Sequence, residues 1–517
     1  MTSHLPLSKT NKLPHRRPRS SGLLAVGSAA VLLSACVSFS GIHSDAQLKS
    51  LTAESSASAL PNQTGVWPDG RWPQTIGGQP LQELIDAAIA GNPSLQVAAA
   101  RVSAARAYVE ATGANKLPTV GAGFDSTYQR FTEHGLIPPP LAGNYYSDNQ
   151  LALNISYEVD FWGKHSAEMR GALSQEKAAL AEQQSARLML SSAIAHAWIQ
   201  LARQYAQLDL AMQQLAVREK LDQLTQQRVK AGLDTRTDTE QSLVQTSSLK
   251  AEITQWQEAI ALSRNQLAAL QGQGPERGQS IPRPVLAQIG NAALPAQLPS
   301  ELLGRRPDIV AARWQVEAMQ GEIDTAKAQF YPNINLSAFV GLSSLGVADF
   351  FKSGSTIVGA GPSIRLPIFE GGRLRAQLKG KVAAYDSAVA TYNQSLTDAL
   401  HEVADQVQSM KAAQEQNKNQ LLAAQASERT LALARQRQKV GTANLLPVLA
   451  AESALLTQQR VLLDNQMRRA DLQINLIKAL GGGFEAAPEL RLPASPAGPS
   501  ASSTQTTDQQ KSHTEAA

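Results

Sequence analysis

The chain has 517 residues, enough for several ordinary domains or one large repeated architecture. Its 47 basic and 43 acidic residues leave a formal charge of +4, so charge gives no case for a nucleic-acid surface. Only 5% of residues are aromatic, whereas Ala, Leu and Gln abound, which argues for long helices over a bulky globular core.

At the N-terminus, Lys9, Lys12, Arg16, Arg17 and Arg19 lead into an apolar run from Gly22 to Leu33. That run is about 12 residues, too short to span roughly 30 Å of hydrocarbon as a helix. It reads as the core of a signal peptide over residues 1–35. Leu33, Ser34 and Ala35 then precede Cys36, the one cysteine of the chain, which therefore has no disulfide partner within it. Residues 36–80 are polar and punctuated by Pro and Gly, and read as a tether lying on something else. From Leu81 the pattern turns helical, with Leu84, Ile85, Ala88 and Ile89 on one face. Asn92-Pro93 interrupts it, a second helix covers 94–114, and Pro118 closes that helix.

Alternation follows. Val120, Ala122, Phe124, Ser126 and Tyr128 share one face of a strand. After a proline-rich loop, Leu151, Leu153, Ile155, Tyr157 and Val159 share a face of another. This hairpin, 119–160, has one apolar and one small or polar face. Each strand is about ten residues, the length that crosses a bilayer when tilted. Beyond Gly163 a helical region runs from Lys164 to Lys230 without proline, on the order of 100 Å long. Its seam of Ile194, Trp198, Leu201, Tyr205, Leu208, Met212 and Leu215 has heptad spacing and predicts coiled-coil packing. Ala231, Gly232 and Leu233 break it, and a returning helix covers 236–271. Residues 272–299 read as a linker, and 483–517 as a disordered tail.

The second half repeats the first. Asn92-Pro93 matches Arg306-Pro307 and Pro118 matches Pro332, both 214 residues apart. Gly163, Gly171 and Gly232 match Gly372, Gly380 and Gly441, all 209 apart. Repeat 1 therefore covers 81–271 and repeat 2 covers 300–482. The latter carries a hairpin at 333–369, a long helical hairpin at 373–480, and its own seam of Leu396, Leu400, Val403, Val407 and Met410. Four membrane-length strands are too few to close a barrel, since about eight is the usual minimum. Open strand edges cost several kcal/mol per unpaired group in lipid. Several chains must therefore pool their strands, and a shared barrel continued by a helical tube is a conduit.

Several stretches carry a family resemblance. They are Leu298 to Asp308 (Leu-Pro-Ser-Glu-Leu-Leu-Gly-Arg-Arg-Pro-Asp), Ala328 to Pro332, Tyr157 to Gly163, Leu366 to Arg373 with its Gly371-Gly372 pair, and Lys478 to Phe484. As a set they resemble the TolC-like outer-membrane efflux ducts, especially the lipoprotein branch of NodT/OprM-like factors, over about residues 60–485. Leu33-Ser34-Ala35-Cys36 resembles the lipobox of bacterial lipoproteins, in which the cysteine is acylated, and Val37 after it favours the outer membrane by resemblance to enterobacterial sorting. The resemblance implies a mainly α fold with a transmembrane β-barrel portion, four strands and long coiled-coil helices per protomer. It implies a homotrimer with a twelve-stranded barrel and a twelve-helix periplasmic tunnel. It also implies a periplasmic adaptor docking at the hairpin tips Ala231, Gly232, Leu233 and Val440, Gly441, Thr442. An inner-membrane transporter, of the resistance-nodulation-division or major-facilitator kind, would drive export of drugs or other small toxic compounds.

In that branch a leucine and an aspartate after the second tip hold the periplasmic end closed. The leucine position is Leu446, but the aspartate position is Ala450. Glu452, Asp234, Arg236 and Asp238 are therefore the candidate substitutes. Gly163, Gly371, Gly372, Pro118 and Pro332 stand at the strand–helix junctions. An enzyme reading finds little. His401-Glu402 opens like a zinc-protease motif but lacks the second histidine, and Gly481 to Gly483 end a helix where a phosphate loop would start one. Thus no metal or cofactor is expected beyond the covalent lipid on Cys36. A duct for protein secretion, or a structural coiled-coil envelope lipoprotein, are the competing readings.

Overall fold

The computed structural model describes residues 38–49, 67–286 and 304–491. The signal peptide, Leu33, Ser34, Ala35 and Cys36 lie outside the described residues, as do 50–66, 287–303 with the latter part of the 272–299 linker, and 492–517. Seven helices organise the rest: α1 Trp72–Gly91, α2 Pro93–Ala114, α3 Lys164–Lys230, α4 Arg236–Leu270, α5 Pro307–Ala328, α6 Arg373–Lys439 and α7 Leu445–Ala479, beside a one-turn helix at Glu276–Gln279. Four strands, β1 Thr119–Arg130, β2 Tyr145–Glu158, β3 Asn333–Leu345 and β4 Thr356–Arg365, form one antiparallel sheet in the order β1-β2-β3-β4.

The duplication is carried by the elements themselves. α2 and α5 are each 22 residues, α3 and α6 each 67, and α4 and α7 each 35. One bond recurs at the same place in both halves. Asn92, just before the proline that opens α2, donates from Nδ2 to the Leu270 carbonyl at 2.7 Å. Arg306, just before the proline that opens α5, donates from Nη1 to the Ala479 carbonyl at 3.0 Å. Each ties the start of a short helix to a terminal carbonyl of the returning helix, which has no intrahelical partner.

The core lies where α1, α3, α4 and α7 meet. Ile194, Trp198 and Leu201 of α3 are buried there against Leu81 and Ile85, Leu267, and Ile474. The second seam holds in the same way, with Leu396, Val403 and Val407 buried in α6. The first seam departs from expectation below Leu208. Met212 is exposed, and Ala211 and Val217 are buried instead. A helix of 3.6 residues per turn drifts about 20° per heptad against a strict seven-residue repeat, so the contact stripe moves off the predicted positions. The stripe also takes in Gln204 and Gln207, and Gln207 donates to Asp464 across the repeats at 2.9 Å.

Three boundaries differ from the sequence reading. The first helix starts at Trp72, not Leu81: residues 72–77 add a turn before a break at Gly78, where φ is 67°. Pro80 stands in that helix just after the break, an opening position where its missing N–H costs nothing. Residues 483–491, expected within the disordered tail, are ordered. Phe484 packs beside Trp314, whose Nε1 donates to the Leu490 carbonyl at 3.0 Å. The apolar payload of Phe484 and Leu490 is what the compositional reading overlooked. Within the tether, residues 38–49 form a strap along α5 and α6. Ile42 is buried there, Ser44 bonds Asp386, and Lys49 N donates to Asn393 Oδ1 at 2.8 Å while Asn393 Nδ2 donates to Gln47 O at 2.9 Å.

Candidate functional site

The register of the sheet decides what its two faces touch. Val120 stands opposite Ile155, Leu153 opposite Val340, and Val340 opposite Val358. Most apolar residues of the four strands thus share one face, Phe339, Leu345 and Ile357 being on the other, and on one protomer that face is exposed, Val120 at 61% and Val358 at 77%. The opposite face carries Gly121, Asn154, Ser337 and Ser363. Ser156 and Asn335 hydrogen-bond across it at 3.0 Å. A sheet that is oily on one side and polar on the other fits lipid outside and water inside. Aromatic rings gather at both ends of the strands. Tyr128 stacks on Tyr145 at 5.6 Å, and at the helical end Trp162 stacks on Tyr331 at 4.7 Å. Such belts sit at headgroup level. Strands β1 and β4 have no partner on their outer sides among the described residues. No described helix is long and apolar enough to cross a membrane.

At the junctions, Gly163 and Gly372 cap α3 and α6 in the left-handed region, at φ 73° and 85°. A side chain there is strained, so the sharp turn from strand to helix selects glycine. Gly371 is left-handed too, at φ 57°. Pro118 lies between α2 and β1, and Pro332 between α5 and β3, where its carbonyl accepts from Trp162 Nε1 at 2.8 Å. Asp160 anchors the first junction by accepting from the amides of His165 and Ser166 at 3.0 and 2.9 Å. Burial pushes its carboxyl up, but the Ser166 hydroxyl and these amides outweigh that and hold it below the usual range.

At the far end of the rods, Gly232 and Gly441 sit at φ 73° and 79° in turns Ala231–Leu233 and Val440–Thr442. Leu233 and Val440 are exposed. The gate candidates fall into separate roles. Asp234 takes a two-pronged bond from Arg228 at 2.7 and 2.9 Å, which holds its carboxyl below the ordinary range. Asp238 closes a capping box with Thr235, whose hydroxyl and amide lower its pKa. Arg236 opens α4 and Leu446 lies in the first turn of α7, both exposed. Glu452 faces Arg435 at 3.4 Å within the second hairpin. None of the three acids bridges the two hairpins. A charged pair that does so near the tips was missed by sequence reasoning: Arg460 of α7 bonds Glu252 of α4 and lies over Trp256, whose Nε1 donates to the same carboxylate at 3.1 Å. Its residues are ordinary surface types at helical spacing, and only the fold, which sets Arg460 against Glu252 and Trp256, reveals it.

Arg306 forms ion pairs with Asp308 at 2.7 Å and Glu402 at 2.8 Å. Burial disfavours its charge, yet the two carboxylates raise its pKa. Glu402, the acid of the protease-like fragment, is thereby engaged in the equatorial core.

A two-faced sheet continued by rod-like helical hairpins defines an outer-membrane channel. The chain belongs to the outer membrane efflux protein family, which it matches over residues 84–273 and 298–482. It is 36% identical over 371 residues to the fusaric acid resistance protein FusA of Burkholderia cepacia, covering 70% of this chain and 69% of that one. It is 31% identical over 437 residues to the multidrug resistance outer membrane protein MdtP of Escherichia coli K12, covering 82% and 88%. The outer membrane protein VceC of Vibrio cholerae superposes with a TM-score of 0.73 at 40% identity, over 81% of this chain and 100% of that one. The protein is thus an exit duct for efflux in the outer membrane, and its family is one of channels, not of enzymes.

Proposed function

We propose that three copies of this chain close a twelve-stranded barrel over a twelve-helix periplasmic tunnel, and that the tube passively conducts drugs or other small toxic compounds outward. The observation that carries this reading is the four-stranded sheet with a continuous apolar face and two unpaired edges. In lipid those edges cost several kcal/mol per backbone group unless a neighbouring copy pairs them. FusA and MdtP carry resistance to fusaric acid and to multiple drugs in their names, which supports a small-molecule cargo. The chain's own residues supply no energy-coupling motif, so an inner-membrane transporter, of the resistance-nodulation-division kind first, powers export through a periplasmic adaptor at the tips. The bond between Arg460 and Glu252 ties the two hairpins together and holds the tunnel end narrow until the adaptor binds the open form more tightly.

The strap supports a lipid anchor on Cys36. Ser38 and Ser40 offer their carbonyls to Arg375 near the start of α6, and Phe39 packs edge-on against Phe330 and Tyr331 of the aromatic belt. Two residues reach about 7 Å at most, so acyl chains on Cys36 enter the membrane beside that belt.

The test is expression in a strain stripped of outer-membrane ducts, with drug accumulation measured in cells and mass measured in detergent. Lowered accumulation and a trimeric mass are expected. A monomer that forms no pores in bilayers overturns the reading. Cys36→Ser keeps the trimer and loses the lipid mass; complete loss of folding in that variant overturns the anchor alone.

A further inference from the structure

The polar face of the sheet ends in a groove of 410 Å³ at the helical end of the strands, with Ser156, Glu158, His165, Asn335, Ser363 and Arg365 in its wall. The register puts four charged residues on that face: Asp125, Asp148, Glu158 and Arg365. Lys164 Nζ holds Glu158 at 3.0 Å. Asp125 and Asp148 lie toward the other end of the strands, roughly 30 Å from the groove at 3.4 Å per residue. Gly121, Asn154 and Ser337 fill the uncharged stretch between. Arg365 is therefore the one cation on this face among the described strand residues, and it is exposed without an ion pair. A second group points to the same place. The His165 side chain is only 6% exposed, and its Nδ1 lies 3.1 Å from Glu168 Oε2. An ionised carboxylate only accepts, so the ring hydrogen is assigned to Nδ1, and in the neutral ring Nε2 is an acceptor. That Nε2 is buried and makes no hydrogen bond, although Glu158 Oε1 lies 3.4 Å away. A buried polar atom left without a partner is unfavourable, and this one belongs to the wall of the groove.

Resting on the duct reading above, in which this face lines the lumen, we propose that the groove is a binding station for small organic anions on their way out. The carboxylate or phosphate of the permeant takes a two-pronged bond from the guanidinium of Arg365, a geometry that lysine does not offer. Its other end donates a hydroxyl or amide hydrogen to His165 Nε2. Arg365 pairs with β3 and Glu158 lies on β2, so the two ends of the groove are two strands apart, roughly 10 Å. The occupant is therefore several atoms long, with its charge at one end and its donor at the other. Three copies ring the lumen where tunnel meets barrel. Organic cations find no such station there, and their favourable region is the acidic far end at Asp125 and Asp148.

The experiment titrates purified trimers in non-ionic detergent with 6-hydroxyhexanoate, hexanoate and hexylamine. Saturation-transfer NMR reads each dissociation constant, at low salt where screening is weak. In the native chain 6-hydroxyhexanoate binds tighter than hexanoate, which lacks the donor. Arg365→Gln weakens both acids about tenfold, the size of one charge-assisted contact, and Arg365→Lys restores part of the loss. Hexylamine is indifferent to either change. His165→Phe levels the two acids. Should that variant fail to assemble, the comparison of the two acids on the native chain still decides, and equal affinities overturn the contact with His165. Acids that bind Arg365→Gln as tightly as the native chain overturn the inference and leave the duct standing. So does hexylamine that competes with 6-hydroxyhexanoate for the same site. A chain that opens no pore and lowers drug accumulation in no background overturns the duct reading, and the inference falls with it.

Discussion

Helices α2, α3 and α4 of repeat 1 return in repeat 2 as α5, α6 and α7 at the same lengths, in different surroundings. The 67-residue rods and 35-residue return helices coincide at a constant offset, yet Trp198 in the first rod stands where Val407 stands in the second. Asn92 stands where Arg306 stands, and Asp234 where Ala443 stands. Repeat 2 is covered by the strap of residues 38–49, whereas α1 packs on repeat 1. The comparison teaches that helix length and register were kept while side-chain chemistry diverged. The shared features are those a tube requires, and the divergent ones are those that distinguish its two kinds of wall.

The largest break in this comparison is expected at the seam. Trp198→Ala removes a fully buried ring and costs about 3–5 kcal/mol, while Val407→Ala costs about 2 kcal/mol. Denaturant unfolding of the trimer in detergent measures both, and equal losses would mean the two seams carry equal load. Next comes the barrel. Leu153→Arg and Val340→Arg, paired across repeats, each cost about 2–4 kcal/mol by placing charge against lipid. Asn154→Arg, on the opposite face, costs little, and outer-membrane assembly yields report the contrast. A lipid-tolerant Leu153→Arg would reverse the assignment of faces.

A smaller difference is expected at the helix-tying residues. Arg306→Ala removes the nearer of Glu402's two cations and strands a terminal carbonyl, and costs about 2–3 kcal/mol. Asn92→Ala loses a cap and one bond, about 1–2 kcal/mol. Thermal unfolding of the two variants ranks them. The smallest effect is at the tips and depends on pH. Asp234 has a folded pKa below its ordinary 3.8, so its pairing with Arg228 is complete above that value and is lost as pH falls through the lowered one. Corrected for the intrinsic pH dependence of exchange, protection of the Leu233 amide should fall only in that acid window, while protection of the Thr442 amide, whose turn has no acid, stays level.

Much of this was legible in the sequence because its signals are strong and local. No proline interrupts Lys164 to Lys230, glycines end the rod on both sides, and strict alternation from Val120 to Tyr128 marks one face of a strand. The register that lines up Leu153, Val340 and Val358 follows from those alternations once the strands pair. What escaped was set by tertiary contact. The seam below Leu208 shifted because a straight helix does not keep a heptad phase. Residues 38–49 read as a polar tether, but a few apolar side chains, Phe39, Ile42 and Leu48, suffice to dock them. The salt bridge between Glu252 and Arg460 joins residues more than 200 positions apart, and no local pattern marks it.

The unbroken rods carry a further consequence for how such a chain can vary. Removing one residue from α3 would turn everything beyond the cut by about 100° and draw the first tip back by about 1.5 Å. Tip and wall would then fall out of phase. Seven residues added or removed leave a residual rotation of only about 20°, but one tip would then outreach the other by about two turns unless both rods changed together. The length of the conduit is therefore quantised in heptads and locked between the halves, so insertions tolerated in the loops at 131–144 or 346–355 are lethal to fit if they occur singly in a rod.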